Sequence, residues 1–166
     1  WVRGYALFRA IKAKFGEISW MDWPDNDIRL RKPKAVAKYE KELAEEINYY
    51  IFGQYLFFDQ WQRLHDYAGM NGVKLMGDMP IYVAEDSSDV WLNPELFELD
   101  EDCKPIRIAG VPPDYFQKDG QRWGNPLYDW KKHAETGYAW WIERLRAMSR
   151  LFDILRIDHF IGFANY

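Results

Sequence analysis

The run Leu151-Phe152-Asp153-Ile154-Leu155 is short and apolar, and it passes directly into Arg156-Ile157-Asp158-His159-Phe160. A run of this length fits a buried core strand of a parallel sheet. In parallel sheets and barrels the carboxyl ends of the strands carry the ligand-facing side chains. An arginine two residues ahead of an aspartate favours the charged form of the carboxyl. A lasting carboxylate is what a covalent nucleophile in glycoside chemistry requires. The same Arg–Asp pair can also serve only to close a strand, and the motif alone does not separate the two roles.

A second strand is expected from Val73-Lys74-Leu75-Met76 into Gly77-Asp78-Met79-Pro80, after a helix stopped by Asn71-Gly72. Helix, short turn and strand form the βα rhythm, and Asp78 falls at the strand's carboxyl end. A capping or turn role is at least as common for such a residue as a site role.

The remaining elements fall around these two strands. Tyr5, Phe8, Ile11 and Phe15 recur at helical spacing, which predicts a helix over Val2 to Phe15 with Gly16 beyond its end. Trp20 to Arg31 carries no period and reads as a loop. A long helical region is expected from Pro33 to Ala68, with a break near Gly53. Its aromatic run, Tyr49 to Trp61, has the spacing of a buried face rather than of a binding platform. Tyr138 to Arg150 forms another helix, which delivers the chain to the Leu151–Ile157 strand.

Residues 81 to 128 read as mostly irregular, with a helix start around Ser87 and half of a small hairpin at Ile106-Arg107-Ile108. Loops of this length inside a compact domain are usually functional or disordered. The density of Trp, Tyr and Phe disfavours disorder, so an ordered, substrate-facing insertion is expected. The chain holds 9 Trp, 11 Tyr and 10 Phe, and those in glycine- and proline-rich loops can stack on the apolar faces of sugar rings. The fold class that follows is α/β: part of a (β/α)8 TIM barrel with a large irregular insertion between two barrel strands. Open strand edges should then expose apolar residues.

Charge and cysteine content exclude several classes. With 26 acidic and 22 basic residues there is no basic footprint for nucleic acid. No apolar run approaches a membrane span, and no leader opens the chain. His65, His133 and His159 show no metal-ligand spacing, and no Gly-rich phosphate signature occurs, so no cofactor is expected. The single cysteine, Cys103, excludes an internal disulfide and favours a reducing compartment such as the cytoplasm. A start at Trp1 and a stop at Tyr166, just after the best motif, suggest a piece of a longer protein.

Four segments stand in one order and at one spacing: Gly77-Asp78-Met79-Pro80-Ile81-Tyr82-Val83-Ala84-Glu85-Asp86-Ser87, Ala109-Gly110-Val111-Pro112-Pro113-Asp114-Tyr115-Phe116, Gly120-Gln121-Arg122-Trp123-Gly124-Asn125-Pro126-Leu127-Tyr128 and Arg156-Ile157-Asp158-His159-Phe160. Together with Tyr5-Ala6-Leu7-Phe8 and Leu56-Phe57-Phe58-Asp59-Gln60-Trp61, they make the whole chain resemble the 4-α-glucanotransferase family, the amylomaltases or disproportionating enzymes.

That resemblance implies a retaining barrel enzyme of the α-amylase clan that disproportionates α-1,4-glucans, with maltooligosaccharides as substrates and no cofactor. It implies Asp158 as the nucleophile, Arg156 as its supporting arginine and Asp78 as an active-site aspartate on the preceding strand. Tyr115 and Phe116 match a mobile loop over the cleft, Trp123 an aromatic near the donor sugar, and His159 an acceptor-side contact. The acid/base glutamate, and a third carboxylate with its histidine, would lie on strands beyond Tyr166; Glu85 and Asp86 do not replace them. Gly4 and Ile161 depart from the Asp and Arg common in relatives. Two other readings stay open: a non-catalytic glucan-binding protein and a hydrolytic relative in the amylase clan.

Overall fold

The computed structural model describes residues 1–113, 115 and 117–164. The chain divides into two compact units, one formed by Trp1–Phe58 with Asp86–Pro94 and the other by Asp59–Glu85 with Glu95–Tyr166.

In the first unit, helix α1 (Val2–Lys14) buries Leu7, Phe8, Ala10 and Ile11. Phe8 and Ile11 of the expected apolar spacing are buried, whereas Tyr5 and Phe15 are only half-buried and Leu7 and Ala10 fill the face beside them. Phe8 meets Trp23 and Trp91 with ring centres 5.7 and 5.8 Å apart, forming an aromatic core. The stretch expected as a loop after Trp20 contains a 3₁₀ turn (Trp20–Asp22) and a one-turn helix, α2 (Asn26–Arg29). Asp25 caps α2 by accepting from the backbone N–H groups of Asp27 and Ile28. That local bond is strong enough to start a turn which hydrophobic periodicity cannot reveal. Helix α3 (Pro33–Glu42) has its proline in the first turn, as expected.

The break in the long helix lies at Leu43 rather than near Gly53. Helix α4 (Ala44–Met70) runs through Gly53 without interruption. A glycine in a helix costs only about 1 kcal/mol relative to alanine. Leu43 leaves helical geometry, at φ −107° and ψ 29°, while its own side chain and that of Ile47 are buried. The reading of Tyr49 to Trp61 as a buried face is also corrected. Tyr49 is 73% exposed, Phe52 57%, Tyr55 63% and Phe57 45%. Helical spacing groups these rings but does not provide the surface that would cover them. Short helix α5 (Ser88–Leu92) starts where expected, with the Ser87 hydroxyl accepting from the Val90 N–H.

The second unit holds both expected strands, shorter than their apolar runs. Strand β1 (Met76–Met79) and the last strand (Ile154–Ile157) pair in parallel, with Asp78 opposite Arg156. The Asp153 carboxylate accepts from the Leu75 N–H, and Leu75 O accepts from the N–H groups of Asp153 and Ile154. The named strands begin three residues later than the apolar runs, at Met76 rather than Val73 and at Ile154 rather than Leu151. A Cβ at Gly77 would overlap the Phe152 ring, which itself packs on Trp61. The last strand is not fully buried: the face that carries Asp78 and Arg156 also exposes Met76 (64%) and Ile154 (47%).

The hairpin lies further along than Ile106–Ile108. Strand β2 (Ile108–Val111) pairs antiparallel with β3 (Gln121–Pro126), with a register shift between Ile108 and Gly110. A side chain at Gly110 would meet the carbonyl of Gln121, so the close approach of the two strands requires glycine there.

Helices α6 (Trp130–Glu135) and α7 (Ala139–Ser149) lead to the last strand, now β4. Between them His133 is completely buried against Tyr128, Trp130 and Trp140. Burial pushes its imidazole below the ordinary 6.5, with the nearby Asp129 carboxylate acting in the opposite sense. Below that pH the unfolded chain takes up a proton that the folded chain resists. Stability therefore falls as pH drops from 6.5 towards the lower folded value. We expect the thermal midpoint to fall between pH 7 and pH 5 by more in this chain than in His133→Phe. Equal falls would assign the acid sensitivity to other groups.

Candidate active site

The parallel pairing brings three charged side chains together at the carboxyl end of β1 and β4. Asp78 and Arg156 face each other across the ladder, and Asp158 follows β4, its N–H bonded to Met79 O at 3.0 Å. The Arg156 guanidinium donates through Nη1 to Asp78 Oδ2 and through Nη2 to Asp158 Oδ1, each at 2.8 Å. One planar cation thus holds two carboxylates, each through its own outer nitrogen, a fork that an ammonium does not reproduce. All three side chains are more than half exposed, so they are accessible to a ligand. Both aspartates accept hydrogen bonds from Arg156.

Beside the carboxylates runs an aromatic wall. His159 takes left-handed backbone geometry at φ 51° and turns the chain into a 3₁₀ turn (Phe160–Phe163). This sets its ring edge-on to Trp123, with centres 5.0 Å apart. Tyr82 lies 6.3 Å from both rings. Trp123 arrives from β3, its indole N–H donating to Gln121 Oε1 at 2.9 Å. An open cleft is lined by these rings together with Pro80, Ile81, Asn125 and Asp158. Flat apolar faces next to a fixed carboxylate suit a sugar ring, whose C–H faces stack while its hydroxyls reach polar atoms.

Five of the residues expected at a site are accordingly assembled: Asp78, Arg156, Asp158, His159 and Trp123. Tyr115 is 94% exposed and is not among the residues lining the cleft. Phe116 lies outside the described residues. Tyr82 and Asn125 line the cleft without having been singled out from the sequence; they sit inside the Gly77–Ser87 and Gly120–Tyr128 segments, and that was the available signal. Asp86 is engaged elsewhere, paired with the buried Lys12. Ile161, 61% exposed, follows the His159 turn, and a Cβ at Gly4 would meet Leu92 Cδ1 at 2.7 Å. Among the described residues no group of His, Cys, Asp and Glu could hold a metal ion, and no helix is long and apolar enough to cross a membrane.

A parallel strand pair with its charged cluster and aromatic wall at the carboxyl end is an α/β arrangement, and the cluster sits at the end where such sheets bind ligands. The chain belongs to the 4-alpha-glucanotransferase family, which it matches over residues 1–166. It is 50% identical over its whole length to the 4-alpha-glucanotransferase of Clostridium butyricum, covering 34% of that protein. With the 4-alpha-glucanotransferase of Aquifex aeolicus it shares 46% identity, again over all of this chain and 34% of the other. Its fold superposes on amylomaltase from Streptococcus agalactiae in complex with acarbose at a TM-score of 0.94 and 48% identity, over 98% of this chain and 33% of that one. The chain therefore spans about a third of the length of these relatives.

Proposed function

We propose that this chain supplies the nucleophile and one wall of the sugar site to a 4-α-glucanotransferase acting on α-1,4-glucans. The observation that carries the reading is the Arg156 bridge at 2.8 Å to both Asp78 and Asp158 beneath the aromatic wall. In the proposed reaction Asp158 attacks the anomeric carbon as the C1–O bond to the leaving sugar breaks. The departing oxygen takes a proton from an acid/base carboxylate outside residues 1–166. The 4-hydroxyl of an acceptor glucan then attacks C1, gives its proton back to that base and releases Asp158 with net retention.

Arg156 holds the nucleophile in place and Asp78 completes the charged cluster. Trp123 and Tyr82 stack against the donor sugar, and His159 contacts the acceptor side. Tyr115 is assigned the task of screening the cleft from water, which favours transfer over hydrolysis. The 81–128 segment is thereby a substrate-facing insertion, and β1 and β4 are two strands of a (β/α)8 barrel whose remaining strands lie outside this chain.

Support comes from the full-length family match and from the bound acarbose named for the Streptococcus agalactiae relative. The experiment is covalent trapping in a polypeptide of the relatives' length that carries this chain. A fluorinated glucosyl fluoride, slow in the second displacement, should leave a glucosyl adduct on the peptide containing Asp158. An adduct on another carboxylate would reassign the nucleophile.

A further inference from the structure

We infer that Arg144, outside the charged cluster, is a positioning residue for the transfer reaction, acting through the strap Pro80–Val83. The inference rests on the function proposed above. The strap follows β1 and contributes Pro80, Ile81 and Tyr82 to the cleft lining. Its carbonyls are taken by three side chains from two other segments, α7 and the Gly120–Tyr128 stretch. Arg144, on α7, donates through Nη2 to Pro80 O at 2.6 Å and through Nη1 to Ile81 O at 3.0 Å. The buried Tyr128 hydroxyl donates to the same Ile81 carbonyl at 2.7 Å, and Asn125 Nδ2 donates to Val83 O at 2.8 Å. The buried Ile81 carbonyl needs such partners, and along the partly exposed strap the partners also set where the peptide planes point.

The guanidinium is itself held in place. Its carbon lies 5.3 and 5.1 Å from the ring centres of Trp140 and Trp141, one turn earlier on the same helix. With the two indoles set nearly perpendicular, at 88°, around it, the guanidinium has its two outer nitrogens bonded to two successive carbonyls. A lysine offers a single nitrogen in place of the two that reach these carbonyls, and so does not reproduce the fork. With the Pro80 and Ile81 carbonyls fixed, the Tyr82 ring stacks on Tyr128 at 6.1 Å and faces Trp123 and His159. Arg144 therefore sets the wall against which the reacting sugar lies, without reaching the sugar itself. A shift of about 1 Å in such a wall can cost roughly 10²-fold in rate.

The test compares Arg144→Met, Arg144→Lys, Tyr128→Phe and Asp158→Asn in a polypeptide of the relatives' length carrying this chain. Maltotriose disproportionation is measured well below each unfolding midpoint and expressed per folded molecule. Arg144→Met should lower kcat by about 30- to 100-fold, with KM changed by less than about threefold. Arg144→Lys should recover part of that loss, and Tyr128→Phe should lower kcat by about three- to tenfold, since it removes one donor of two. A residue that only supports the fold would lower the unfolding midpoint and leave kcat per folded molecule within about twofold of the parent; that result overturns the inference. If Arg144→Met does not fold, kcat within twofold for both Arg144→Lys and Tyr128→Phe overturns it equally. Full activity in Asp158→Asn would instead break the functional reading beneath it, and the two failures are told apart by which variant keeps its rate.

Discussion

Asp158→Asn, in a polypeptide of the relatives' length that carries this chain, is expected to lose both transfer and hydrolysis while still binding glucan. The amide has nearly the shape of the carboxylate and can still accept from Arg156 Nη2, which Asp158 meets at 2.8 Å. The neighbouring Arg156–Asp78 contact does not involve residue 158, so the cleft should keep its form. What disappears is the nucleophile, because a neutral amide does not form the glycosyl ester. Removal of a covalent nucleophile typically costs on the order of 10⁴-fold or more. Following glucose and longer maltodextrins from maltotriose measures transfer, and calorimetry with a maltooligosaccharide measures binding. Transfer near the parent rate would place the nucleophile elsewhere, with Asp78 the first residue to examine. Loss of binding together with activity would mean that the Arg156 bridge organises the sugar site and not only the reaction.

The residues that build this cluster were legible because their position depends on chain order and strand direction. Two short apolar runs, each ending in an aspartate and separated by helices, place Asp78 and Asp158 at the same end if the strands are parallel, and they are. The shared use of one guanidinium was not legible. Arg156 was expected to support Asp158, but its bond to Asp78 depends on register, which puts those two residues directly opposite each other. Register is set by side-chain bonds such as Asp153 to the Leu75 N–H, and these leave no periodic trace.

The aromatic residues divide along a similar line. Phe8, Trp23 and Trp91 entered a core as their bulk suggests, whereas Tyr49, Phe52, Tyr55 and Phe57 remain exposed on α4. Pattern alone cannot distinguish them, because a helix face is apolar for whatever covers it. Chemistry held by exact contacts was the least legible of all. Nothing in the sequence of α7 separates Arg144 from Arg146, yet the first caps two strap carbonyls while the second pairs with Glu143 on its own helix. Glycine 77 is intermediate: its place in the motif was visible, and its need to admit the Phe152 ring was not.

Residues 1–166 by themselves are expected to show no glucanotransferase activity, despite carrying Asp158. The acid/base carboxylate of the proposed reaction lies outside these residues, and the two carboxylates of the cluster are both engaged by Arg156. General acid catalysis is typically worth about 10²–10⁴-fold, and that contribution is missing. The site is also wet. Asp78, Arg156 and Asp158 are each more than half exposed, and Met76 and Ile154 stand in solvent on the same face of the strand pair. Electrostatic stabilisation of a developing oxocarbenium ion is strongest in a water-excluded site and is weakened by this exposure. The check is to incubate the purified chain with maltotriose and to follow glucose and longer maltodextrins over time. Flat traces are expected. Both products growing in proportion to chain concentration would show that a carboxylate within these residues donates the proton, and Glu85, next to the Pro80–Val83 strap, would be the one to replace first.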